Sequence, residues 1–170
     1  KFVVNCTKNS IYINSITIYS STGGANPFTI DTYQLVTDVA QLTDSDRIII
    51  GVNVAGMDYV MGFYDENTSK NNIHAITGKY SEDHTQVTSD DRAVYTLRKT
   101  VLDGQTVYYI QDEIRYVEAY LVASGGQTKN VLAVWDKLTD SKTYGNYGYW
   151  DIRVAADGTA TITNIGNSKG

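Results

Sequence analysis

Apolar residues recur along this chain at every second position, and no stretch shows convincing helical spacing. Phe2, Val4 and Cys6 alternate in KFVVNCT, IYINSITIY follows at 11–19 as a β-branched and aromatic run, and TKNS between them suits a turn. Alternation of this kind turns one side of an extended chain to a core and the other to water. Residues 1–19 are therefore expected to form a β hairpin, or the remnant of a preceding sandwich, with Cys6 a buried strand residue rather than a nucleophile. SSTGGANP at 20–27 is small, polar and glycine-rich and carries the single proline, so residues 20–29 are expected to be a linker.

The main β domain is expected over 30–170. Tyr33 and Leu35 fit a short strand. LTDSD fits a turn or one helical turn capped by Thr43 or Asp44. Ile48, Ile50, Val52 and Val54 then share a face, and Met57, Tyr59, Met61 and Phe63 share another. Residues 65–92 turn polar and loop-rich, with one short strand at 73–76. Two later stretches follow a common design, YTLRKTVLDGQTVYYI at 95–110 and WDIRVAADGTATITNI at 150–165. In the first, Tyr95 and Leu97 face one way, Asp103-Gly104 turns, and Val107 and Tyr109 return. In the second, Trp150, Ile152 and Val154 are answered across Asp157-Gly158 by Ala160 and Ile162. Asp-Gly suits a type I′ hairpin turn, which needs positive φ at both central residues. IRYVEAYLVAS and NVLAVWD add further strands, and TDSKTYGNYGY is a Gly/Tyr loop.

YQL at 33, YTL at 95 and WDI at 150 each open a strand followed by a polar turn and a second β run, at spacings of 62 and 55 residues. A supersecondary unit repeated about an axis buries a core that one copy cannot. The expected fold is all-β, a closed trefoil-like or barrel-like antiparallel architecture with a short N-terminal hairpin.

Composition narrows function mainly by exclusion. The net charge is −5 and the 14 Lys and Arg are scattered singly, which speaks against nucleic-acid binding. No apolar run approaches the ~18 residues of a membrane helix. One cysteine permits no internal disulfide, and Cys6, His74 and His84 have no metal-ligand spacing. Asp44 with Asp46, and Asp90 with Asp91, are acidic pairs in turns, but neither follows the calcium-loop pattern. Glu113, Glu118 and Asp136 lie on or beside predicted strands, and nothing specifies the facing carboxylate partner a glycosidase needs. No G-x-S-x-G elbow is present. No catalytic residue, metal or cofactor is predicted.

The 14 Tyr against 3 Phe point to half-buried rings with wet hydroxyls, common in extracellular β modules. The best surface candidate is the aromatic loop KTYGNYGYW. Tyr144, Asn146, Tyr147 and Tyr149, joined by Trp135, have the composition of a sugar-stacking or protein-binding surface.

YQLVTDVAQLTDSDRIIIG, AYLVAS, NVLAVWD and YWDIRVAADGTATITNIGNSKG together resemble an all-β accessory module of secreted and surface multidomain proteins of gut Bacteroidetes, an uncharacterised family. The resemblance covers most of residues 33–170 and rests on core aromatics and turn glycines. That family carries no agreed catalytic residues, so none transfers. NSIYINSITIYSS resembles the last strand of the β-sandwich that often precedes the module. The family normally ends with two more strands that this sequence lacks, which implies first a fragment trimmed from a longer protein, and otherwise an open edge for residues 1–19 or another chain to fill. The resemblance implies a secreted or cell-surface, non-catalytic recognition module for carbohydrate. The alternative is a structural or assembly module of a surface protein or fibre, self-associating or binding a protein partner by strand complementation.

Overall fold

The computed structural model describes residues 3–5, 10–21, 32–62, 73–88, 91–112, 115–124, 127–135 and 148–165. The chain is all-β, and the described residues contain strands and two short 3-10 turns but no α-helix. The strands are β1 (Val3–Asn5), β2 (Ser10–Ser21), β3 (Thr32–Leu35), β4 (Arg47–Val54), β5 (Met57–Gly62), β6 (His74–Thr77) and β7 (Lys79–Tyr80). They continue as β8 (Gln86–Thr88), β9 (Tyr95–Leu102), β10 (Gln105–Asp112), β11 (Arg115–Ser124), β12 (Gln127–Trp135), β13 (Trp150–Val154) and β14 (Ala160–Asn164).

All pairings are antiparallel, and the main path runs β12-β11-β10-β9-β4-β2-β3-β8-β7. β1 and β2 form the hairpin predicted at the N-terminus, and β2 runs on into the main sheet, pairing with β3 and β4. The path is open, which departs from the closed trefoil-like or barrel-like expectation. The β13–β14 hairpin meets β10 at one residue pair, Tyr108 opposite Trp150, and β2 at one bridge, Thr17 to Thr159. Single junctions of this kind are not a continuous ladder.

β4 is covered on both faces, as its nearly unbroken apolar run RIIIGVNV implies. Ile48, Ile50 and Val52 enter the larger core with Ile16, Ile18, Leu97 and Trp150, whereas Ile49 enters a smaller core with Tyr19, Tyr33 and Val60. The three aromatics that open the repeat, Tyr33, Tyr95 and Trp150, are all buried, but Tyr33 lies in the smaller core and the other two in the larger.

Turn length decides which side chains face in. Asp103-Gly104 is the predicted two-residue turn, with φ of 51° and 80° and Leu102 opposite Gln105. That register sets Ile110 opposite Leu97 and Tyr108 opposite Lys99, so Tyr108 and Ile110 join the larger core. The predicted pair, Val107 and Tyr109, faces the opposite side of the strand, where Val107 is buried and Tyr109 half-buried. The Asp157-Gly158 turn is longer. Gly158 N–H donates to the Ala155 carbonyl, Thr159 N–H donates to Asp157 Oδ1, and only Gly158 of the loop has positive φ. This loop keeps Ile152 opposite Ile162 and Val154 opposite Ala160, as predicted. Ala55-Gly56 forms a further turn with positive φ at both residues, joining β4 to β5. On β5 the expected Met57–Met61 face packs against the larger core through Tyr59 and Met61, but it is the less deeply buried of the two. Met57 is 56% exposed, Tyr59 and Met61 are half-buried, and Val60 on the opposite face is completely buried. Phe63 lies outside the described residues.

Candidate functional site

β2 alternates Ser15, Thr17 and Tyr19 with Ile16 and Ile18. The isoleucines face the larger core, so the polar residues line the opposite side of the strand. Gly51 of β4 sits directly opposite Thr17. A Cβ there would meet Thr17 Oγ1, the Tyr80 hydroxyl at 2.8 Å and the Tyr19 ring at 3.1 Å. The missing side chain is what lets Tyr80 lie against the sheet. The result is a cleft of about 220 Å³ bounded by β2, by Asn53 and Asp58 of the β4–β5 hairpin, by Tyr80, Asp83 and His84, and by Asp157 from the β13–β14 turn.

Asn53 and Asp58 face each other across the hairpin, and Asn53 Nδ2 donates to Asp58 Oδ1 at 2.8 Å. The other oxygen, Asp58 Oδ2, lies 3.5 Å from His84 Nδ1. Asn53 Oδ1 accepts the Gly56 N–H, which ties the amide to its own turn. His84 is held in the left-handed region at φ 58°. Its N–H donates to the Ser81 carbonyl and its carbonyl accepts the Tyr19 hydroxyl at 3.0 Å. Its ring lies 5.6 Å from that of Tyr80, and Tyr80 meets Tyr19 edge-on at 5.9 Å. Asp83 organises the loop from beneath: its Oδ1 accepts from Ser81 Oγ, Thr85 N and Thr85 Oγ1.

These contacts set the ionisation of the cleft. The Ser81 hydroxyl and Thr85 groups hold the Asp83 carboxyl down at about 2. Asp157 is lowered by the backbone N–H and hydroxyl of Thr159. Burial pushes the Tyr80 hydroxyl well up, with Tyr19 and Asp58 adding to the effect. Tyr19 is raised by burial, opposed by its hydrogen bond from Thr17.

Of the five ligand residues expected from sequence, Tyr149 is not among the described residues lining this cleft. Tyr144, Asn146 and Tyr147 lie outside the described residues, as do Asp90, Glu113, Asp136 and Cys6. Trp135 ends β12 opposite Tyr116. Tyr149 is half-buried and meets Tyr109 edge-on at 6.4 Å, beside the β10–β13 junction. Asp44 and Asp46 serve a tight turn: Asp46 accepts from Thr43 N and Oγ1, and Asp44 accepts the Lys99 N–H. Among the described residues, no three His, Cys, Asp or Glu side chains come together as a metal site. No described helix is long and apolar enough to cross a membrane.

Sequence reasoning missed the cleft because its residues are scattered over five segments. One signal was available. Ser15, Thr17 and Tyr19 alternate with Ile16 and Ile18, so one side of this strand segment is polar where the other is isoleucine. Compared with protein families, curated proteins and solved structures, the chain matches none.

Proposed function

We propose that this protein is a non-catalytic extracellular recognition module for carbohydrate, and that the cleft beside β2, β4 and β5 receives the sugar. The observation that carries this reading is the row Asn53–Asp58–His84, preset by its own hydrogen bonds and flanked by Tyr19 and Tyr80. A sugar offers hydroxyls that need fixed polar partners and C–H faces that need an aromatic wall. Groups already held in place lose little freedom on binding. Glycoside hydrolysis needs, besides an ionised carboxylate, a second carboxyl kept protonated. Asp83 and Asp157 are both pushed the other way and are engaged in their own loops. That supports binding rather than cleavage. A secreted or cell-surface location and membership of a Bacteroidetes accessory family belong to the same proposal.

The sheet itself stays open, but single contacts tie its parts together across the larger core. The junctions Tyr108–Trp150 and Thr17–Thr159 link β2, β4, β9, β10, β13 and β14 into a ring of single and multiple contacts around the larger core. The Thr17–Thr159 bridge is also what brings Asp157 to the cleft.

The test is a glycan array followed by calorimetry on wild type and Asp58→Ala. At least one glycan class should bind, and Asp58→Ala should weaken it roughly ten- to a hundredfold, the worth of one charge-assisted hydrogen bond. A blank array with a cooperatively folding protein would refute the reading.

A further inference from the structure

The polar groups of the cleft are unequal in kind. Tyr19 and Tyr80 both turn their hydroxyl protons inward, onto the carbonyl oxygens of His84 and Tyr59 at 3.0 and 2.6 Å. What a phenol keeps after donating its proton is acceptor capacity. Asp58 gives one oxygen to Asn53 and turns the other toward His84. Asp83 takes its three donors on Oδ1, and Asp157 takes Thr159 N–H on Oδ1, so each Oδ2 stays out of these bonds. Among the described residues, no lysine or arginine lines the cleft. Its described surface thus sets three carboxylates beside the neutral hydroxyls of Ser15 and Thr17 and the Asn53 amide, with His84 the one described lining residue able to carry positive charge.

We infer that the cleft selects a sugar unit bearing a protonated amine over its neutral or acidic counterparts. The inference rests on the carbohydrate reading above. A neutral hydroxyl can both donate and accept here, the Ser15 and Thr17 hydroxyls included, but it draws nothing from the net negative charge of the three carboxylates. An ammonium group has three donors and no acceptor, which matches the inventory of the cleft. Its hydrogen bonds to carboxylates are charge-assisted and about twice as strong as neutral ones. Tyrosine rings add a favourable cation–π term. A uronate or sulfated unit would instead meet three carboxylates with no lysine or arginine among the described lining residues to answer it.

The test compares three β-linked oligosaccharides of equal length by calorimetry: a glucosamine oligomer, its N-acetylated counterpart and a uronic acid oligomer. The amine should bind at least about tenfold tighter than the acetylated form, a difference of about 1.4 kcal/mol. The uronate should not bind. The preference should shrink as salt rises. It should also shrink in Asp58→Asn and in Asp157→Asn, which keeps an Oδ1 acceptor for Thr159 and so leaves the turn intact. Equal binding of the acetylated or acidic oligomer would overturn the inference and leave the carbohydrate reading standing. An amine preference untouched by both substitutions would also overturn it, because a polycation drawn to a chain of net charge −5 needs no cleft. Failure of all three oligomers to bind, with an otherwise blank array, would overturn both.

Discussion

Gly51→Ala tests the packing that makes the cleft. The new methyl would sit in the middle of β4, opposite Thr17 on β2 and Val60 on β5. Its nearest neighbour would be Thr17 Oγ1, followed by the Tyr80 hydroxyl at 2.8 Å and Tyr19 Cε2 at 3.1 Å. Both strands beneath are held by ladders on two sides, so Tyr80 is the group that must move. Moving it breaks the 2.6 Å bond from its hydroxyl to the Tyr59 carbonyl. Overpacking costs about 1–3 kcal/mol, and losing that bond about 0.5–1.5 kcal/mol more. Replacing glycine restores about 0.4–1 kcal/mol by restricting the unfolded chain. The overpacking term wins, for a net loss of about 2 kcal/mol and a Tm drop of roughly 4–8 °C in a chain of this size. Thermal unfolding followed by circular dichroism reads the result directly. Tyr80→Phe in the Gly51→Ala background should cost less than the sum of the two single changes, because the bond it removes is already broken. A Gly51→Ala protein melting within about 1 °C of wild type would refute the reasoning.

Two glycines separate strain from crowding. Gly104 and Gly158 both have positive φ, but a Cβ at Gly104 meets nothing within 4 Å, whereas at Gly158 it meets three atoms of Leu35 at 2.7–2.9 Å. Gly104→Ala should cost about 1 kcal/mol and Gly158→Ala roughly 1–3 kcal/mol more, as read by urea unfolding midpoints; equal midpoints would contradict this. Leu97→Ala, at a fully buried position facing Ile110, should cost about 2–5 kcal/mol in the same assay. At high pH, Tyr19, Tyr80, Tyr95 and Tyr108 should ionise last, since burial raises each above the ordinary value of 10.0. Their contribution is full below that value and is lost as pH rises through the folded pKa values. Tyrosinate absorbance should therefore show a late fraction that coincides with unfolding. Asp83 works in the opposite sense: its folded value is depressed, so its contribution is present above 3.8 and lost as pH falls toward about 2. Asp83→Asn should flatten the acid limb of a stability–pH curve over that window.

Strands were the most legible part of the sequence, because alternation reports directly on which side of an extended chain is buried. Ile48, Ile50 and Val52, the two late hairpins and the buried Tyr33, Tyr95 and Trp150 were all readable in this way. Register was less legible. Asp-Gly marks a turn without stating its length, and a two-residue loop at 103–104 but a longer one at 155–159 puts opposite phases inward. Alternation is also less telling where both faces are covered: the shared face of Met57, Tyr59 and Met61 gave no sign that Val60 opposite is completely buried. The candidate cleft was hardest to see. Asn53 and Asp58 meet only because Ala55-Gly56 turns tightly, and His84 reaches them only through the loop that Asp83 organises.

The placement of β2 bears on the order in which the molecule can assemble during synthesis. Ser10–Ser21 leaves the ribosome before the segments that flank it, yet it pairs with residues as far along as Ile48–Val54 and bridges to Thr159. Until β4 arrives, a β-branched, nearly uncharged segment waits without its main partner, and such segments pair readily with copies of themselves. The long separations also predict slow closure of the sheet. The alternating Ser15 and Thr17 on that strand thus have a second use: they keep the side away from the isoleucines polar while it waits, before any ligand reaches the cleft.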